Sequence, residues 1–309
     1  MIVKDEAKTL GRCLESVRGR VAEQVVVDTG STDATVEIAR SFGAKVVHFP
    51  WVNDFSAARN FGLEHATQPW ILVLDADEVL DAGPVALAQA GGLELTIRNL
   101  APPQDPVAWH DFPLVRMFRR DPAHRYRGAI HEQIRASIEG VGGKIVRSSM
   151  VITHHGYADP ILANGQRRAE RNLILLKAAL DKDPADAYLW YQLGVTEKAL
   201  GHFKDSDSAL AKAQRTPLGP TIDGDLAMRR SQLALERDDF ANCIAQADRA
   251  LALDPSQPIA LQCRAVAHLQ LGQVDRAVAD LRKVLALSVL RPAVQADFTR
   301  LLTLLGANS

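Results

Sequence analysis

The chain has 309 residues, 47% of them apolar and 24% charged, which is typical of a globular protein of about two domains. A formal net charge of −1 gives no general attraction to nucleic acid or to an anionic membrane surface, so neither is expected as a partner. Three scattered cysteines predict reduced, buried thiols. The lack of any run near ~18 apolar residues and of a signal-peptide pattern predicts a cytoplasmic protein without a membrane span.

The first 90 residues alternate short β-rich runs with amphipathic helical stretches, a pattern that predicts an α/β domain with a mostly parallel sheet flanked by helices. The chain opens inside an apolar run, so the first strand is expected to be a shortened one. Residues 30–33 supply a turn and the residues that start the second helix. The predicted strands are Met1–Val3, Gln24–Val27, Lys45–Phe49 and Trp70–Leu74, and the predicted helices are Lys8–Val17, one that ends at Phe42, and Phe55–Ala66.

Residues 91 to about 157 are less regular. Leu93–Ile97, Phe112–Phe118 and Lys144–Ile152 are predicted strands, and prolines at 102, 103 and 106 interrupt the stretch. We interpret this part as the variable acceptor half of the same domain, which is expected to span residues 1–160.

From about Asn164 the sequence predicts only helices, with an internal period. Phe240 and Val274 are 34 residues apart, and this helix–turn–helix spacing resembles that of tetratricopeptide repeats. The alternative is a generic helical bundle. We expect a tetratricopeptide-like helical repeat domain over residues 161–309, ending in a capping helix at Val289–Leu305.

Two carboxylates, Asp75 and Asp77, follow the apolar strand that ends at Leu74. Side chains at this Asp-x-Asp spacing project to the same side of an extended chain, and their oxygens suit Mg²⁺ or Mn²⁺, which bridge diphosphates. A solvated acidic turn is the alternative. Asp28 follows another strand, and both strand ends lie where open α/β sheets bind ligands.

Several other side chains have a functional and a structural interpretation. Asp28 is suited either to accept a hydrogen bond from a nucleobase or to cap a turn. Arg59 is suited either to bind phosphate or to form a surface ion pair. Glu132 could act as a general base and His154 as a metal ligand, although each type of residue is more often structural.

The ordered motifs at residues 1–6, 27–35, 51–60, 74–78, 116–119, 128–134 and 154–157 resemble family-2 glycosyltransferases of the GT-A fold. The most similar subgroup is the bacterial one fused to tetratricopeptide repeats, and it is similar to the peptide S-glycosyltransferases. Lipopolysaccharide-core glucosyltransferases are similar more distantly.

The resemblance implies an inverting, metal-dependent transfer of a hexose from a nucleotide-sugar donor, a UDP-sugar, to a polypeptide or glycan acceptor, with Mn²⁺ or Mg²⁺ as cofactor. By position in the motifs, Asp28 contacts the nucleobase, Arg59 the donor phosphates and Asp75 the ribose or sugar, while Asp77 is the principal metal ligand, His154 a further metal ligand and Glu132 the catalytic base.

Two other functions compete with this one. A catalytically inactive scaffold would bind a protein partner, but it has no need of the full set of carboxylates and histidines. A nucleotidyltransferase would use a glycine-rich, basic phosphate loop near the first strand, and the sequence has none. The repeats are suited to present a polypeptide acceptor, to bind a protein partner or to mediate self-association.

Overall fold

The computed structural model describes residues 1–81, 90–101, 105, 107–155, 165–287 and 289–307, which pack into two compact units. The first unit comprises Met1–Leu100 and Trp109–Ala163, and the second comprises Ala101–Ala108 and Asn164–Ser309. The predicted boundary at residue 160 lies outside the described residues. That residues 101–108 belong with the helices was not predicted.

The first sheet confirms the predicted alternation of strands and helices. Its three strands are parallel in the order β1-β2-β3, and a small apolar core that includes Leu10, Leu14 and Val26 joins them to the first two helices. The third helix begins after Asp54, whose carboxylate accepts the Ala57 N–H. The elements are β1 (Ile2–Val3), α1 (Leu10–Ser16), β2 (Val25–Asp28), α2 (Thr35–Ser41), β3 (Lys45–His48) and α3 (Phe55–His65).

The strands that follow form a second sheet in the order β4-β7-β6-β8-β5. Only β6 and β8 pair in parallel, and the other neighbours are antiparallel. The expectation of a mostly parallel sheet therefore holds only for the first three strands, because the later strands follow one another without a crossover helix between each pair. The elements are β4 (Trp70–Leu72), β5 (Glu78–Leu80), β6 (Gly92–Leu100), β7 (Trp109–Arg119), α4 (Arg135–Gly140) and β8 (Ile145–His154).

The second unit consists of helices that pack in pairs, α6 with α7, α8 with α9 and α10 with α11. Asp238 and Gly272, 34 residues apart, both turn the chain with positive φ, at 58° and 70°. The helices are α5 (Gly165–Lys182), α6 (Ala187–Ala199), α7 (Phe203–Ala213), α8 (Pro220–Leu235), α9 (Phe240–Leu253), α10 (Pro258–Gln270), α11 (Val274–Leu285) and α12 (Pro292–Leu304).

Side chains also follow the repeat. The Tyr191 hydroxyl donates to Asp225 at 2.6 Å and Lys198 Nζ donates to Gln232 at 2.6 Å; in both pairs the partners are 34 residues apart and link α6 to α8. The repeat is therefore a property of the packing as well as of the sequence. None of the described helices is both long and apolar enough to cross a membrane.

The segment 101–108 contributes to the core of the helical unit. Val107 is fully buried there and pairs with Leu290 in an isolated β-bridge, while the Ala108 N–H donates to Val289 O at 2.8 Å. The Arg291 guanidinium donates to Ala101 O at 2.8 Å. The three prolines of this stretch lie outside the described residues.

Candidate functional site

The carboxyl end of β4 carries a network of buried ion pairs centred on Asp75. Arg59 Nη2 donates to Asp75 Oδ1 at 2.9 Å, and Arg116 Nη2 donates to Asp75 Oδ2 at 3.0 Å. The same Arg116 nitrogen lies 2.6 Å from Glu78 Oε1. The Asp75 N–H donates to Glu78 Oε2 at 2.8 Å, so a short turn brings both carboxylates to the two guanidinium groups.

The charges of this network are strongly coupled. Burial alone would raise the pKa of Asp75, but Arg59 and Arg116 together lower it well below its usual range. Burial raises the pKa of Glu78, against the pull of Arg116. Because the Asp75 side chain is 34% exposed and stays ionised, it offers a fixed negative charge that a ligand can reach.

Asp77 and His154, the two predicted metal ligands, lie side by side. Strand β5 pairs with β8 in a register that sets Glu78 opposite His154, and this places His154 Nε2 3.2 Å from Asp77 Oδ2. The other imidazole nitrogen, Nδ1, lies 2.8 Å from Asn99 Oδ1. A hydrogen bond of this kind fixes the orientation of a metal-binding imidazole.

The Asp77–His154 pair fits a hard divalent cation that is shared with a diphosphate. Mg²⁺ in particular is held by one or two protein carboxylates together with substrate phosphates and water. Within the described ranges, no third His, Cys, Asp or Glu joins this pair in a group whose ligand atoms lie within 4.8 Å of one another. The described residues therefore offer part of a coordination shell at this position.

Glu132 lies on a loop that is held against α3. Residues 127–133, here named the His-Glu loop, close through reciprocal backbone bonds between Arg127 and Gln133 at 3.0 and 2.9 Å. The Phe55 N–H donates to Ala129 O at 2.8 Å. Glu132 Oε1 accepts from Arg59 Nε. The predicted base and the predicted phosphate ligand are therefore partners of each other.

Asp28 lies at the end of β2, apart from the ion-pair network. Its carboxylate accepts the Ser31 N–H at 3.0 Å and the Gly30 N–H at 3.3 Å, and His48 Nδ1 is 3.1 Å away. The structure therefore shows Asp28 capping the turn that follows β2. The nucleobase contact stays a prediction, as do the donor roles of Asp75 and Arg59 and the roles of Asp77, His154 and Glu132.

Sequence reasoning assigned no role to several residues that build this site. Arg116 and Glu78 were quoted only within motifs, yet both belong to the ion-pair network. Asn99 and His48 were not singled out, because nothing in the sequence places them beside His154 and Asp28. A basic residue two positions before a buried Phe on a strand was the only available signal for Arg116.

A separate cavity of about 370 Å³ lies in the first unit. Its walls are mostly apolar and include Val25, Leu63, Trp70 and Met117, and Arg59 also lines it. Such a lining does not suit a diphosphate, which needs cations and hydrogen-bond donors. The candidate site is therefore the cluster of carboxylates and histidine around Asp75 and not this cavity.

Residues 1–86 match the family model described as glycosyl transferase family 2. The beginning of the first unit is therefore similar to family-2 glycosyltransferases. The matched part includes Asp28, Arg59, Asp75 and Asp77. His154 and Glu132 lie beyond the matched part.

The chain is also similar to known proteins over longer stretches. The chain is 39% identical over 206 residues to a TPR repeat-containing protein of Synechococcus elongatus, which covers 63% of this chain and 50% of that relative. It is 30% identical over 192 residues to the SPbeta prophage-derived glycosyltransferase SunS of Bacillus subtilis, covering 60% of this chain and 45% of SunS. The chain thus spans about half the length of these two relatives.

A third relative matches over a shorter stretch. The lipopolysaccharide core biosynthesis glycosyltransferase LpsC of Rhizobium meliloti is 38% identical over 86 residues, which is 26% of this chain and 31% of LpsC. Together with the family match and the repeat packing, these relatives support a family-2 glycosyltransferase domain joined to a tetratricopeptide-like helical domain.

Proposed function

We propose that the chain is an inverting glycosyltransferase that moves a hexose from a UDP-sugar to a polypeptide or glycan acceptor. The observation that carries this proposal is the approach of Asp77 and His154 to 3.2 Å beside the ionised, partly exposed Asp75. The similarity of residues 1–86 to family-2 glycosyltransferases supports this reaction class. The carboxylate oxygens and the imidazole are suited to hold a metal-bound nucleoside diphosphate.

Asp77 and His154 would hold Mn²⁺ or Mg²⁺. The cation, when bound, neutralises negative charge on the departing diphosphate. Arg59 keeps its Nη1 buried and without a partner among the described residues, so this nitrogen is the donor left for a phosphate oxygen. Asp75, fixed by two guanidinium groups, would accept hydrogen bonds from ribose or sugar hydroxyls.

Glu132 would accept the proton of the attacking acceptor group. Its ion pair with Arg59 orients the carboxylate. Because Arg59 is also the proposed phosphate ligand, donor binding would act directly on the residue that orients the base.

The proposal is tested by thermal stability in titrations of UDP, GDP and their sugar conjugates, with and without Mn²⁺. A ligand at 100 times its Kd stabilises the native state by about 2.7 kcal/mol. We expect a Mn²⁺-dependent rise in Tm with uridine nucleotides, which Asp77→Asn abolishes. Asp111→Asn is the matched control, because Asp111 is an exposed carboxylate paired with Arg98 in the same unit.

Release of UDP from UDP-glucose measures the activity itself. The wild type and Asp111→Asn should release UDP only when Mn²⁺ or Mg²⁺ is present, and Asp77→Asn should lose this activity. If no nucleotide stabilises the wild type and no UDP is released, the chain is instead the catalytically inactive scaffold. If Asp77→Asn behaves like the control, Asp77 is not the metal ligand.

The helical unit is proposed to bind the polypeptide acceptor or another protein partner, or to mediate self-association. Helical repeat arrays present extended surfaces for peptides. Sedimentation velocity of the full chain distinguishes self-association from the other two roles.

A further inference from the structure

His131 has an unusual backbone conformation next to the proposed base. Its φ is 52°, in the left-handed region, which residues with a side chain rarely occupy. Such strain persists where the surrounding structure enforces it, and it concentrates at functional positions. The backbone hydrogen bonds between the ends of the His-Glu loop, and the bond from the Phe55 N–H, hold His131 in this conformation.

The imidazole of His131 carries an unused polar atom. Nε2 is buried, and among the described residues it has no hydrogen-bond partner. A buried polar atom left without a partner destabilises the folded protein. Native structures leave few such atoms, and each calls for an explanation such as a ligand or a water molecule.

The neutral state of the His131 ring limits which chemical groups are suited to pair with Nε2. Burial lowers the pKa of His131 to about 4, so the ring is uncharged near pH 7. An uncharged imidazole offers one donor and one acceptor, which matches a hydroxyl group. A phosphate or carboxylate would be better served by the arginines nearby.

His131 is next in the chain to a residue of the proposed donor site. Glu132, the next residue, binds Arg59, and Arg59 binds Asp75 at 2.9 Å. His131 is therefore part of the loop that borders the proposed donor site.

We propose that His131 Nε2 is a specificity-determining contact to one hydroxyl group of the transferred sugar. This inference rests on the proposed function, since it needs a sugar donor at the carboxylate cluster. A site built to pair with a hydroxyl group discriminates strongly against an analogue that lacks it, because the buried protein atom then stays unpaired.

The test compares UDP-glucose with its 2-, 3-, 4- and 6-deoxy analogues, using UDP release to obtain kcat/KM. The wild type should disfavour one analogue by about tenfold or more, as expected for one hydrogen bond to a buried group. His131→Phe keeps a ring but lacks the nitrogen, so it should lose this discrimination while its preference among the other analogues is unchanged.

His131→Asn is the second variant, because Asn tolerates positive φ and keeps polar atoms. It should fold normally and retain part of the discrimination. If the wild type turns over donor and both variants discriminate against every deoxy sugar as the wild type does, this inference is wrong while the proposed function stands. If the wild type neither binds nor hydrolyses any of the UDP-sugars, both are wrong.

Discussion

Replacing Arg116 by Met tests whether the ion-pair network stabilises the first unit. The substitution keeps an unbranched side chain but removes the guanidinium that bridges Asp75 and Glu78. Asp75 would keep Arg59, whereas Glu78, whose side chain is only 3% exposed, would keep only the N–H of Asp75. Removing one partner of a buried ion pair destabilises a protein by about 3–5 kcal/mol, and the remaining hydrogen bond places this case near 3 kcal/mol.

Arg135 provides a matched control on the same unit. It also bridges two carboxylates, Glu94 and Glu139, but its side chain is 43% exposed against 11% for Arg116. Exposed pairs contribute about 0.2–1 kcal/mol each. Arg135→Met should therefore cost about 1 kcal/mol, well below the expected effect at Arg116.

Urea unfolding followed by tryptophan fluorescence gives both values. Three of the four tryptophans lie in the first unit, so a Trp190→Phe background makes the signal specific to it. The double variant Arg116→Met/Glu78→Gln should recover part of the loss, because it removes the unpaired buried charge. Equal effects of Arg116→Met and Arg135→Met would refute the reasoning.

Three further predictions concern packing, protonation and thiol reactivity. A Cβ at Gly194 would lie 2.5 Å from the side chain of Leu210, whereas a Cβ at Gly224 would have its nearest atom 3.6 Å away. Gly194→Ala should therefore destabilise the helical unit by about 1–3 kcal/mol. Gly224→Ala should leave its stability unchanged or raise it by up to about 1 kcal/mol. Both changes are measured by circular dichroism during thermal unfolding. Because folding lowers the pKa of His131, the unfolded chain binds this proton more tightly than the folded protein does. The free energy of unfolding of the wild type, compared with that of His131→Asn, should therefore fall by up to about 1.4 kcal/mol per pH unit between pH 6.5 and pH 4. Parallel plots of stability against pH for the two proteins would contradict this. Burial raises the pKa of all three cysteine thiols, so an aromatic disulfide reagent should label none in the native protein and three in urea.

Local signals in the sequence were sufficient for most elements. The helix predicted over Phe55–Ala66 is observed over Phe55–His65, and its start follows from the capping side chain of Asp54. Strand limits also agree to within a few residues, since β-branched runs and turn residues act over short distances. The 34-residue period likewise survives in the packing of the helices.

Long-range pairing was the part that the sequence could not predict. Asp77 and His154 are 77 residues apart, and only the register of β5 on β8 brings them together. Asp33 was expected to start the second helix, and its carboxylate accepts the N–H of Thr35, the first residue of that helix, at 3.0 Å. The same carboxylate accepts the Ala7 N–H at 3.1 Å, a link between two loops that local sequence signals could not predict.

Because residues 101–108 belong to the helical unit, cleavage of the chain at one point cannot separate the two units. The polypeptide leaves the first unit at Leu100, returns at Trp109 and leaves again after Ala163. A fragment that begins at residue 164 would lack Val107, which is fully buried in its core, and a fragment that ends at 163 would carry that apolar segment without its cover. During synthesis on the ribosome, the side chain of Val107 therefore stays exposed to water until the last helices have been made.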